Sequence, residues 1–137
     1  MSPADVFAIL LGLVALATAL GILWKQTTGR VKAQSGDIVR LPEVPRDGSA
    51  TLLQFSTEVC APCVPTRRVL GEIAASTAGV NHVDVDLTHR PDVAAKYNVL
   101  QTPTTLILDR SGHIRARIGG APRQADVRAA LETILAA

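Results

Sequence analysis

Cys60 and Cys63 are the only two cysteines in 137 residues, and they stand three positions apart in Cys60-Ala61-Pro62-Cys63. At the start of a helix, backbone N–H groups and the macrodipole favour an anion, so a thiol placed there is held as the attacking thiolate. The three-residue offset lets the second sulfur reach the first, so the pair closes into a disulfide or opens into a dithiol. Pro62 suits a first turn, where it has no N–H bond to lose. Pro65 places the start of the regular helix near Pro62 or Cys63, because a helical Ala61 would lose its bond from residue 65. Two other chemistries fit less well. A zinc site takes four ligands, and His82, His89 and His113 show no ligand spacing to the cysteines. These histidines read as solvated strand-end and turn residues, and no metal is expected. A purely structural disulfide closing so short a loop adds little stability. Redox exchange remains.

Such a pair needs a strand to deliver it and a helix to carry it. Ala50–Ser56 (ATLLQFS) is a short apolar run rich in strand formers. Thr66–Ser76 places Val69, Leu70, Ile73 and Ala74 on one helical face. Val80–Leu87 alternates as a strand, and Pro91–Tyr97 reads as a short helix with proline in its first turn. Thr104–Leu108 and His113–Ile118 flank the turn Asp109-Arg110-Ser111-Gly112, which makes an antiparallel hairpin. Gly119-Gly120 breaks it, and Gln124–Leu135 closes the chain as an amphipathic helix. The order βαβα, then ββα, implies an α/β fold whose mixed sheet is flanked by helices on both faces.

Upstream, Val6–Trp24 runs nineteen residues without a charge. At about 1.5 Å per residue it extends roughly 28 Å, close to the bilayer's hydrocarbon thickness. Asp5 caps its start, Trp24 suits the interface and Lys25 ends it. With no Lys or Arg before it, a signal peptide fits poorly. The reading is an uncleaved single-pass anchor over residues 1–24, spanning 6–24, in the cell membrane. Lys25, Arg30, Lys32 and Arg40 follow the span, which favours a cytoplasmic soluble domain, N-terminus out and C-terminus in. Residues 25–48, with Pro42, Pro45 and Asp47-Gly48, read as a linker with room for one short strand at Asp37–Leu41. The globular domain is then 49–137. A composition 47% hydrophobic and 19% charged excludes disorder, and a net charge of +2 without a basic stripe excludes nucleic acid as a partner.

From about Ala50 to Ala137 the sequence resembles the thioredoxin family. The resemblance rests on QFSTEVCAPC, the VDVD strand, AAKYNVLQTPTTLIL and the Ile118-Gly119-Gly120 break. It implies that Pro103 is cis and faces the cysteines, and that Thr102 and Pro103, with Ala61 and Pro62, shape the groove for an extended substrate strand. It further implies Cys60 as nucleophile, Cys63 as resolving thiol, and protein thiols or disulfides as substrates. An electron donor or acceptor completes the cycle, and no cofactor beyond the cysteine pair is needed. The chain departs from the family at several places. The family's buried acid is Gln54 here, its partner lysine corresponds roughly to His82, tryptophans give way to Ser56 and Val59, and glycine to Ala61. Gln54 takes no proton, so it modulates rather than relays. In style the chain is nearer to anchored, TlpA-like or actinobacterial membrane thioredoxins than to a general cytosolic reductant. The expected activity is a membrane-tethered thiol–disulfide oxidoreductase, reductase favoured over oxidase. The alternative is a thioredoxin-fold scaffold in a membrane complex with little redox activity.

Overall fold

A computed structural model describes residues 2–137. Helix α1 (Pro3–Thr27) contains the expected span and extends it by three residues at each end. Ser2, rather than Asp5, is its N-cap. The Asp5 N–H donates to Ser2 Oγ (3.3 Å) and the Ser2 N–H to Asp5 Oδ2 (2.9 Å), a reciprocal capping box. None of its side chains is buried, and an 18-residue stretch within it has a mean hydropathy of 2.7. It is a candidate membrane span by length and apolarity.

The rest of the chain builds a five-stranded mixed sheet. Its strands are β1 (Val31–Ala33), β2 (Ala50–Ser56), β3 (Val80–Asp86), β4 (Thr104–Asp109) and β5 (Ile114–Gly119), in spatial order β1-β5-β4-β2-β3. Only β2 and β3 run parallel, joined by α2 (Cys63–Ser76). The other pairings are antiparallel. Strand β2 lies between two neighbours and is buried at all seven positions, which explains why its sequence shows no polar–apolar alternation.

The sheet's two faces carry separate cores. On one, Leu52, Ile107, Ala116 and Ile118 meet Leu70 and Ile73 of α2 and Val127 and Leu131 of α4 (Gln124–Leu135). On the other, Leu53, Phe55, Leu106 and Leu108 pack against Val93 of α3 (Pro91–Lys96), Tyr97 and the segment 39–44.

The segment expected to be a linker is therefore part of the fold. Its Val31–Ala33 is an edge strand on β5, and Val39, Leu41 and Val44 are buried under the sheet. The Arg40 N–H donates to Tyr97 Oη at 3.1 Å. The short strand expected at Asp37–Leu41 is reduced to a single bridge between Ile38 and His113. Pro42 and Pro45, which lack a ladder donor, stand just beyond it.

Candidate active site

Strand β2 ends at Ser56 and releases the chain into the loop that carries the cysteines. The Cys60 N–H donates to the Thr57 carbonyl and the Cys63 N–H to the Cys60 carbonyl, each at 3.2 Å. The helix begins at Cys63, with Pro62 as its N-cap. Pro65 is thus the third helical residue, where an N–H has no intrahelical acceptor. Cys60 lies outside the first turn and is partly exposed, whereas Cys63 is 2% exposed. The two are joined as a disulfide, with Cα atoms 5.3 Å apart. Ala61 and Pro62 between them are exposed.

The turn before β4 approaches this loop. The Thr102–Pro103 peptide is cis, and Pro103 is buried. Thr102 Oγ1 lies 3.4 Å from Thr57 Oγ1, which ties the proline turn to the cysteine loop. The Gly120 N–H donates to the Pro103 carbonyl at 2.8 Å, and Thr104 Oγ1 donates to the Gln101 carbonyl at 2.6 Å. The three segments singled out in sequence, Cys60–Cys63, Thr102–Pro103 and Gly119–Gly120, are thereby brought to one end of the sheet.

Beneath the disulfide lies Gln54, fully buried. Its Nε2 donates to the Cys63 carbonyl at 3.0 Å. That bond fixes the amide, so Oε1 faces His82 and accepts from its Nε2–H at 3.3 Å. His82 is therefore not the solvated strand-end residue expected. It is a half-buried mid-strand residue one hydrogen bond from Gln54. Burial holds its imidazole below the ordinary value; Arg67 pushes the same way and Asp84 opposes. Beside it, Asp84 accepts from Ser56 Oγ at 2.7 Å and is paired with Arg67 of α2.

Sequence reading missed this polar network. Its signal was the period-two alternation of β3, which puts His82 and Asp84 on one face, beside Leu52, Gln54 and Ser56 of the parallel neighbour. His89 is exposed, and His113 Nδ1 lies 3.7 Å from Asp109 Oδ1, remote in sequence from the cysteines. Among the described residues, no group of three or more His, Cys, Asp or Glu is placed to hold a metal ion.

The thioredoxin family model matches residues 42–133. The chain belongs to the thioredoxin family. Thioredoxin C-2 of Corynebacterium nephridii is 37% identical over 73 residues, covering 53% of this chain and 68% of that protein. Thioredoxin H2 of Arabidopsis thaliana is 29% identical over 77 residues, covering 56% of this chain and 58% of that one. In structure, a single-site mutant of a thioredoxin from Halobacterium salinarum superposes with a TM-score of 0.59 at 19% identity, over 66% of this chain and 78% of that one. Mitochondrial thioredoxin 3 from Saccharomyces cerevisiae, in its oxidised form, gives 0.55 at 20% identity, over 64% and 81%. Helix α1 and β1 lie outside the family match. Within it, the thioredoxin disulfide is backed by an amide–imidazole pair, Gln54 and His82, where the family pattern has a carboxylate and a lysine.

Proposed function

We propose that this protein is a membrane-anchored protein-disulfide reductase working through Cys60 and Cys63. The observation that carries the reading is the Cys60–Cys63 disulfide at the N-terminus of α2, tied through Thr57 and Thr102 to the Pro103 turn. In the dithiol state, Cys60 thiolate attacks a substrate disulfide, forms a mixed disulfide and releases one substrate thiolate. Cys63 thiolate then attacks Cys60 Sγ, releases the second substrate thiolate and regenerates the Cys60–Cys63 disulfide. The substrate gains two electrons, and an external dithiol donor restores the pair. Pro103, Thr102, Ala61 and Pro62 form the edge against which an extended substrate segment lies. Lys25, Arg30, Lys32 and Arg40 favour the cytoplasmic face, a reducing compartment, which supports reductase over oxidase.

The test is a pair of substitutions in the full chain. Cys60→Ser abolishes reduction of a peptide disulfide. Cys63→Ser retains the first attack and accumulates a mixed disulfide visible on non-reducing gels. Alkylation of the reduced protein labels Cys60 before Cys63. Full reductase activity in Cys60→Ser would refute the assignment, and absence of any disulfide exchange in the wild type would leave the scaffold reading.

A further inference from the structure

The anchor helix is not tethered loosely to the domain; it is bolted to the rim of the candidate active site. The Gly29 N–H donates to the Gly119 carbonyl at 2.8 Å, and β1 continues two residues later along β5. A Cβ at Gly29, φ +79°, would collide with the Ala121 carbonyl oxygen, and one at Gly120 with the Thr28 methyl group. Gly120 in turn donates to the Pro103 carbonyl, and Gly119 lies opposite Thr104. A path therefore runs from Trp24 through Gly29, Gly119 and Thr104 to Pro103. With about 1.5 Å per helical residue, 3.4 Å per extended residue and about 5 Å between paired strands, that path is no longer than about 25 Å.

A second observation concerns the rim itself. Outside α1, the large apolar side chains exposed among the described residues are Val59 (95%), Val64 (58%), Leu100 (87%) and Leu135. The first two flank the cysteine motif and the third precedes Thr102-Pro103. Basic Arg30, Arg115 and Arg123, with acidic Asp126, line one shallow depression beside the junction.

Resting on the reading of an anchored oxidoreductase, we infer that the natural substrate is an integral membrane protein, whose disulfide lies on an extended, apolar-flanked segment within about 25 Å of the bilayer surface. The mount fixes the height of the Pro103 turn, and through the Thr102–Thr57 contact that of the cysteine loop, so a membrane-embedded substrate must present its sulfurs near that height. The apolar rim supplies contact for side chains next to the target cysteine.

The experiment uses the full chain, pre-reduced, in phosphatidylcholine–phosphatidylglycerol vesicles, in single turnover. Its two thiols supply the electrons. Two single-span peptides in the same vesicles carry a quenched disulfide, one close to the interface, the other raised about 50 Å on a rigid 33-residue helical spacer. A soluble peptide disulfide is the third substrate. The near disulfide is expected to react at least about ten times faster than the raised one, since only it is within reach. A 30-residue Gly/Ser insertion after Thr27 adds about 30 Å of flexible reach and is expected to bring the ratio below about three, with the soluble rate unchanged. Equal near and raised rates in the wild type, or an unaltered ratio after insertion, overturn the inference while the soluble substrate is still reduced. Loss of the soluble reaction overturns the oxidoreductase reading instead, and failure of the chain to float with the vesicles overturns the anchor.

Discussion

Gln54→Asp tests what the amide beneath the disulfide does. Gln54 is fully buried, and its Nε2 donates to the Cys63 carbonyl at 3.0 Å. The aspartate is one methylene shorter, which forfeits about 0.8 kcal/mol of apolar burial. It also loses the donor to the Cys63 carbonyl, about 1 kcal/mol more. Across the ladder, Thr105 is paired with Gln54, and its Oγ1 is buried without a hydrogen-bond partner. Directly opposed residues place their Cβ atoms about 5 Å apart on the same face, so this idle hydroxyl can donate to the new carboxylate. These terms come to about 2 kcal/mol with the aspartate protonated, and at pH 7 each unit by which burial raises its pKa costs about 1.4 kcal/mol more, so the fall in Tm is at least on the order of 10 °C for a domain of this size.

The chemical effect runs the other way. Desolvation raises the pKa of a buried carboxyl, which makes it a competent base at neutral pH. A thiol with the ordinary pKa near 8.5 is only about 3% thiolate at pH 7, so a base serving Cys63 accelerates resolution by up to about 30-fold there. The gain vanishes by about pH 9.5, where the thiol ionises unaided. A peptide disulfide with differently labelled halves separates the two steps, because attack by Cys60 releases one half and resolution by Cys63 the other. The expected result for Gln54→Asp is a resolution phase faster at pH 7 and equal to wild type near pH 9.5, with the attack phase unchanged. Gln54→Leu removes the same donor without adding a base and serves as the control. If its resolution phase accelerates equally, or if the aspartate profile overlays the wild type, position 54 is core filling and the proton argument fails.

Three further outcomes follow from the same structure. Because burial depresses the His82 pKa, the unfolded chain binds the extra proton first; stability is whole above about pH 6.5 and falls as pH drops below it. Thermal melts of His82→Gln are expected to show a smaller loss between pH 7.5 and 5 than the wild type. Gly29→Ala forces a side chain into a positive-φ position against the Ala121 carbonyl and is expected to cost about 1–3 kcal/mol and raise proteolysis between Thr27 and Val31; unchanged protection would mean the junction is loose. A reporter fused after Ala137 is expected to behave as cytoplasmic, and alkaline phosphatase activity from that fusion would place the domain on the other side.

The sequence was most readable where local pattern and tertiary burial agree. Ala50–Ser56 and Gln124–Leu135 were placed to the residue, because a strand buried on both faces is rich in apolar strand formers without alternation and a helix on one sheet face shows a 3.6-residue stripe. The cysteine loop was legible for a different reason, being a short motif whose residue types carry the geometry, whereas the cis Pro103 turn was legible only through the resemblance to the thioredoxin family. Strand β1 had no such signal. Its three residues, Val31, Lys32 and Ala33, pair with Ile118, Arg117 and Ala116, more than eighty positions away, and only Val31 is partly buried. Val39, Leu41 and Val44 were obscured because prolines and turn residues around them describe an irregular path, and an irregular path can still be a buried one.

The Gln54–His82 pair marks the limit most clearly. From sequence, Gln54 and His82 stand at the positions of a paired acid and lysine, so the two departures go together, but nothing in the sequence shows that the replacements bond to each other. In the structure they form one chain, His82 to Gln54 to the Cys63 carbonyl, with donors and acceptors matched at every step. A carboxylate at position 54 would have to be neutralised by protonation or by a cation; an amide needs only one donor and one acceptor, and β3 and α2 supply them. The replacement of charge by amide at position 54 and of lysine by a half-buried, neutral-favouring imidazole at position 82 is therefore one coordinated change. It keeps the position-54 side chain hydrogen-bonded on both its nitrogen and its oxygen while removing the proton carrier, so the speed of the second thiol becomes the quantity on which this family member is expected to differ.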